Sequence, residues 1–126
     1  MPKTVLIVDD SSFLSKQIAE FFTSQLGFQV VAIGKDGNEA VDLYRKHKPD
    51  LVTMDLTMPE MDGIECIRQI RAIDPKVRIL VVSALSDKAT AIQALKEGAQ
   101  GFLDKPFTEA ELSDAIGELL GESGNG

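Results

Sequence analysis

The chain has 126 residues, 44% of them hydrophobic and 26% charged, and its 20 acids against 13 Lys and Arg give a formal net charge of −7. This is one domain of ordinary size with enough apolar material for a core, and its acidity argues against nucleic acid or an anionic membrane as the direct partner. No apolar stretch approaches a membrane span or resembles a signal peptide, and the single cysteine, Cys66, has no internal disulfide partner; together these favour the cytoplasm.

In chain order, short apolar or β-branched runs alternate with longer segments of helical period. Thr4–Val8 reads as a strand, and residues 12–26 as a helix with Leu14, Ile18, Phe21 and Phe22 on one face and Gly27 as its stop. A second strand follows over 28–33. The second helix opens with Asp36-Gly37-Asn38-Glu39, a capping box with Asp as the cap, carries Ala40, Val41 and Tyr44 inward, and ends before Pro49. Leu51–Met54 is the third strand. A second box, Asp62-Gly63-Ile64-Glu65, opens the third helix, where Ile64, Ile67 and Ile70 follow and Pro75 marks the exit. After a strand over 79–83, a fourth helix starting near Ser86 or Asp87 is expected to turn Ala89, Ile92 and Leu95 inward and to stop at Gly98. The last strand spans 101–103. The box Thr108-Glu109-Ala110-Glu111 opens the fifth helix, with Leu112, Ile116 and Leu119 on its inner face. Residues 1–120 thus form one domain and 121–126, without apolar pattern, a flexible tail. Alternating strands and helices predict βαβ units around a parallel sheet covered on both faces, and the nearly all-apolar strands agree.

The strand ends carry the chemistry. The first run meets Asp9-Asp10, the third Asp55, the fourth Ser83, and the fifth Asp104-Lys105. In a parallel α/β sheet, ligands collect at the carboxyl ends of the strands. In the common doubly wound order the first and third strands are neighbours, so Asp9, Asp10 and Asp55 share one crevice. Two like charges at about 4 Å repel by about 4 kcal/mol at an effective dielectric of 20. Lys105 offsets one of the three carboxylates. Mg²⁺ suits the remaining deficit, because it takes oxygen ligands and is usually bound by one or two carboxylates plus phosphate. A carboxylate can also act as a nucleophile and form an acyl phosphate, a transfer that needs little beyond positioning and charge neutralisation.

Val8-Asp9-Asp10, Met54-Asp55 with Met58-Pro59 and Asp62-Gly63, Ser83-Ala84, and Lys105-Pro106-Phe107 occur in order and at strand ends. With these motifs the chain resembles the receiver domain of bacterial two-component response regulators, most of all the stand-alone chemotaxis members, from Lys3 to about Leu120. The resemblance implies a flavodoxin-like (βα)5 fold, a doubly wound five-stranded parallel sheet in the order 2-1-3-4-5. It implies Asp55 as phosphoacceptor, Asp10, Asp55 and the Thr57 backbone carbonyl as Mg²⁺ ligands, and Asp9 as a ligand through water. Lys105, Ser83 and Ala84 would bind the phosphoryl group, and Ser83 would report its arrival. Pro59, Gly63 and Pro106 would set loop geometry, with Lys105–Pro106 cis. A second switch position, often tyrosine in the family, is Phe102 here, which either swings between rotamers without a hydroxyl or is simply core. The implied partners are a histidine kinase, a target on the face of the fourth helix, fifth strand and fifth helix such as a flagellar motor switch protein, and a phosphatase. The protein would be a monomer and a signalling module rather than an enzyme.

Other residues read as structure. Cys66 is a small packing residue. His47, among Arg45, Lys46 and Lys48, suits a helix C-terminus. Met54, Met58 and Met61 pack around the site, and Gly34 and Gly37 flank a turn. Three rival readings differ in kind. An aspartate-nucleophile phosphatase needs a second acid two residues after the nucleophile, where Thr57 stands. A dinucleotide-binding domain needs glycines in the first βα turn, which reads Val8-Asp9-Asp10-Ser11-Ser12. The receiver of a longer regulator, its DNA-binding or enzymatic half missing, is the third; the ending at Gly126 favours a single-domain protein.

Overall fold

The computed structural model describes residues 2–56, 63–84 and 88–121. Within them run β1 (Thr4–Val8), α1 (Ser12–Gln25), β2 (Gln29–Gly34), α2 (Gly37–His47), β3 (Leu51–Met54), α3 (Gly63–Ile73), β4 (Arg78–Ser83), α4 (Lys88–Glu97), β5 (Gly101–Asp104) and α5 (Glu109–Leu120). The strands make one parallel sheet in the order β2-β1-β3-β4-β5, the flavodoxin-like arrangement expected.

The pleat of the strands divides the core. Leu6, Val8, Val52, Met54, Ile79 and Val81 meet Tyr44 of α2, Cys66, Ile67 and Ile70 of α3, and Ala94 of α4. Val5, Ile7, Leu80 and Val82 point the other way, onto Ile18 and Phe22 of α1 and Leu112, Ile116 and Leu119 of α5. The central strands β1, β3 and β4 are buried on both faces, hence their apolar runs. β2 and β5 are edge strands and only part-buried.

Capping follows the sequence with one variation. The α5 box is complete: Thr108 Oγ1 accepts from Glu111 N–H at 3.1 Å and Glu111 Oε1 from Thr108 N–H at 2.8 Å. At α2, Asp36 Oδ1 accepts from Glu39 N–H at 2.8 Å, but the Glu39 carboxylate reaches one residue further back, to Lys35 N–H at 2.9 Å. Asp62, the cap expected for α3, lies outside the described residues. α2 stops on Lys48, whose left-handed φ of 44° lets its N–H reach Tyr44 O at 2.8 Å. Pro49 next in sequence disfavours a helical Lys48.

The fourth helix corrects the sequence reading. Its buried residue is Ala94, while Ala89 is exposed, Ile92 is 53% exposed and Leu95 45%. The expected start at Ser86 or Asp87 lies outside the described residues. Spacing of three made the large residues look like a core stripe. The helix instead packs into the core through Ala94.

Tyr44 is fully buried, and its hydroxyl donates to Asp74 Oδ2 at 3.0 Å. Burial first, then the Asp74 hydrogen bond and charge, push the phenol's pKa up. Asp74 is held below its ordinary value, first by the Lys76 N–H at 2.9 Å and then by Tyr44. A carboxylate lowered on folding stabilises above its unfolded pKa and loses that contribution as pH falls through the folded one. A phenol raised on folding stabilises below its unfolded pKa and loses that contribution as pH rises through the folded one. Urea denaturation of Tyr44→Phe should therefore show its largest deficit against wild type near neutral pH. The gap should close toward acid as Asp74 protonates, and a gap independent of pH from neutral to acid would contradict this assignment.

Candidate functional site

Parallel register brings the strand ends level: Val8 pairs with Met54, Met54 with Val81, and Ser83 with Asp104. The residues that follow are tied strand to strand. Asp9 N–H donates to Gly34 O at 3.0 Å, Asp55 N–H to Val8 O at 3.0 Å and Lys105 N–H to Ser83 O at 3.2 Å. Each functional side chain therefore starts from a backbone fixed by the sheet.

The side chains converge as expected. Asp9, Asp10 and Asp55 each offer a carboxylate oxygen, and these oxygens lie within 4.8 Å of one another. Asp9 and Asp55 are 2% and 3% exposed, while Asp10 stands in solvent. Lys105 Nζ is 2.7 Å from Asp9 Oδ2 and 3.5 Å from Asp55 Oδ2. Ser83, fully buried, donates its hydroxyl to Asp55 Oδ1 at 3.1 Å. The lysine thus leans on Asp9 first and reaches Asp55 second. Ala84 is exposed beside the site, and the Lys105–Pro106 bond is cis. Phe102 is half-buried and packs against the core on the α3 side of the sheet. Thr57 and Pro59 lie outside the described residues.

Two supporting contacts were not anticipated from the sequence. Ser11 N–H donates to Asp9 Oδ1 at 2.9 Å, while its hydroxyl accepts from Leu14 N–H at 3.2 Å and caps α1. The signal was present: a serine before a helical run is a preferred cap. Gly63 is more than a turn residue. A Cβ there would sit 2.6 Å from both Asp55 O and Leu56 Cα, so α3 starts flush against the backbone that carries Asp55.

The donor set fits a hard divalent cation. Three oxygen donors of one charge type, one of them open to water, match the oxygen ligation and retained waters of Mg²⁺. Three carboxylates against the Lys105 ammonium leave a local negative excess that such an ion would neutralise. The apolar groove beside Lys105, about 550 Å³ and lined by Leu14, Ile18, Phe21, Phe107 and Leu112 among others, lies between α1 and α5.

Comparison with known proteins agrees with this geometry. The family model described as the response regulator receiver domain matches residues 5–117. A chemotaxis protein CheY of Thermotoga maritima is 43% identical over 119 residues, spanning 94% of this chain and 98% of that protein. The Bacillus subtilis CheY is 42% identical, spanning 95% and 99% respectively. Among solved structures, the CheX-CheY-BeF3-Mg²⁺ complex of Borrelia burgdorferi superposes with a TM-score of 0.91 at 39% identity, covering 95% of this chain and 90% of that one.

Two outcomes follow from the geometry. Asp10→Asn removes a charge from a self-repelling cluster at its wet edge, so without divalent cations it should stabilise the fold by about 1 kcal/mol, the water-dielectric end of the Coulomb range. Thermal melts in EDTA and in Mg²⁺ check this: wild type should gain from Mg²⁺ and the variant far less. Gly63→Ala meets backbone that cannot yield and should cost about 1–3 kcal/mol in urea denaturation.

Proposed function

We propose, because the chain belongs to the response regulator receiver domain family, that it is a phosphorylation-operated switch with Asp55 as phosphoacceptor. The carrying observation is the double hold on that carboxylate: Ser83 on Oδ1 at 3.1 Å and Lys105 toward Oδ2 at 3.5 Å, inside a three-carboxylate cluster. An Asp55 oxygen attacks the phosphorus of a phosphohistidine on a partner kinase. The O–P bond forms, the N–P bond breaks, and the imidazole leaves with the electron pair. Asp10 and Asp55, with the Thr57 carbonyl and Asp9 through water, would hold Mg²⁺, which neutralises charge on the transferring group.

The chain's own groups then rearrange. Lys105, held by Asp9 at 2.7 Å, turns its ammonium to a phosphoryl oxygen. Ser83 exchanges its Asp55 acceptor for another phosphoryl oxygen, with Ala84 N–H as a further donor. The state with Ser83 drawn in is favoured by contacts that exist only when the phosphoryl group is present, which is a population shift. The altered surface is that of α4, β5 and α5, and Phe102 on β5 is its candidate second reporter.

The chemotaxis relatives support a CheY-like chemotaxis regulator in the cytoplasm, with a flagellar motor switch protein as target. The Borrelia protein was solved in complex with CheX, which supports a further protein partner for this chain, and a phosphatase is the partner we propose. The protein turns over no separate substrate; it catalyses its own phosphorylation and hydrolysis.

Incubation with acetyl phosphate followed by intact mass should give a Mg²⁺-dependent phosphoryl adduct on wild type and none on Asp55→Asn. Ser83→Ala should still form the adduct but transmit little of it to partner binding. Failure of wild type to bind either a phosphoryl group or its beryllofluoride mimic would overturn the reading.

A further inference from the structure

The end of the sheet opposite the acidic crevice holds the reverse charge. A polar cleft of about 230 Å³ opens at the amino ends of β1, β3 and β4, lined by Lys3, Lys48, Asp50, Asp74, Lys76 and Arg78 among others. Four cations thus face two carboxylates, on a chain whose net charge is −7. Each cation is placed by an element boundary. Lys3 precedes β1, Lys48 ends α2, Lys76 lies between α3 and β4, and Arg78 opens β4.

The two acids are already engaged with the chain. Asp50 Oδ2 accepts from Thr4 N–H at 2.8 Å and from the Thr4 hydroxyl at 3.1 Å. Asp74 takes the Lys76 N–H on Oδ1 and the Tyr44 hydroxyl on Oδ2. Those two donors hold the Asp74 carboxylate below its ordinary range, and the Lys76 and Lys48 charges add to this, so both ammonium groups are near enough to act on it. Helix carboxyl ends favour nearby cations, and Arg78 serves one, donating from Nη1 to Leu119 O of α5. The lysines are not so engaged. Lys3, Lys48 and Lys76 are exposed, and among the described residues their ammonium groups make no ion pair. Lys48 is also the one described non-glycine residue with a left-handed φ, 44°. The chain keeps an ammonium-bearing residue where a helix ordinarily ends on glycine.

We propose that this cleft is an anion site that takes a phosphate group, free or as the monoester of a small polar molecule, held by Lys3, Lys48, Lys76 and Arg78. Charge sets the class. Asp50 and Asp74 leave two of the four positive charges unmatched, and a phosphomonoester carries about −1.5 to −2 at pH 7. Nucleic acid or an anionic membrane would bring its phosphates against the rest of an acidic chain. The volume exceeds one water's share of about 30 Å³ several-fold, and the lining holds no aromatic ring on which a base could stack. The site does not depend on the phosphoacceptor reading, since it lies at the other end of the sheet and uses none of the same residues.

Backbone amide NMR of the full chain, titrated with inorganic phosphate and with glycerol phosphate in magnesium-free buffer containing EDTA, tests this. Without a divalent cation the acidic crevice repels both probes. Saturable shifts should appear at Lys3, Lys48, Asp50 and Lys76, and should be absent when sodium chloride replaces the probe at matched ionic strength. Lys48→Gln and Lys76→Gln keep the aliphatic stems at exposed positions and should each weaken binding about fivefold, the top of the range for an exposed ion pair. Lys96→Gln, on α4, should change nothing. Phosphate binding as tightly as the ester, or more so, assigns the site to the phosphate group alone, and tighter binding of the ester assigns it to the monoester; both support the proposal. The absence of saturable shifts, shifts as large at Lys16 and Lys96 as in the cleft, or wild-type affinity in both cleft variants overturns it and leaves the four cations as partners of the helix carboxyl ends.

Discussion

Everything at the carboxyl end of the sheet is organised around the mutual repulsion of Asp9, Asp10 and Asp55. Two of these carboxylates are nearly buried, their oxygens lie within 4.8 Å of each other and of Asp10's, and Lys105 is the ammonium that meets them. Left alone, such a cluster opposes folding. The surrounding contacts read as its accommodation. Ser11 N–H and Lys105 hold Asp9, Ser83 holds Asp55, and the backbones beneath are stitched across β1, β3, β4 and β5. The cluster is tolerable because its members are fixed by the sheet and partly satisfied, and it remains short of positive charge. That deficit is what suits the crevice to a hard divalent cation.

How much of this was legible depends on whether a feature is set locally. β1 and β3 could be read to the residue because they are buried on both faces, and an apolar run ending in aspartate has one sensible reading. Asp9, Asp10, Asp55, Ser83 and Lys105 were legible because strand ends in a parallel sheet must converge. The helix caps at Asp36 and Thr108 are local too, and they appear where Ser/Thr/Asp and Glu stand three apart. What was missed depends on neighbours distant in sequence. No pattern around Gly63 states that Asp55 O will lie under its Cα. Nor does the serine after Asp10 reveal that its N–H will hold Asp9.

The misread face of α4 is the most instructive case. Ala89, Ile92 and Leu95 have the spacing of a core stripe, and periodicity cannot tell an inward stripe from an outward one. Tertiary room decides. α1 and α5 bring Phe22, Ile18, Leu112 and Ile116 to the sheet, whereas α4 brings Ala94. Small side chains permit close approach but bury little apolar area, and apolar burial is worth only about 25 cal/mol per Å². Among the described residues, α4 brings Ala94 to the buried core, and its large apolar residues are left outside.

That economy has a direction. The weakly packed helix is the one that follows Ser83, the hydroxyl in contact with Asp55. β1, β3 and β4 are buried apart from Thr4 and Arg78 at their starts, whereas α4 leaves Ile92 and Leu95 outside. Interfaces and packed cores change between discrete arrangements rather than deforming continuously. Exposed Ile92 and Leu95 on that element are then not a flaw in an otherwise well-packed domain. They are apolar surface on the helix that follows Ser83 in the chain.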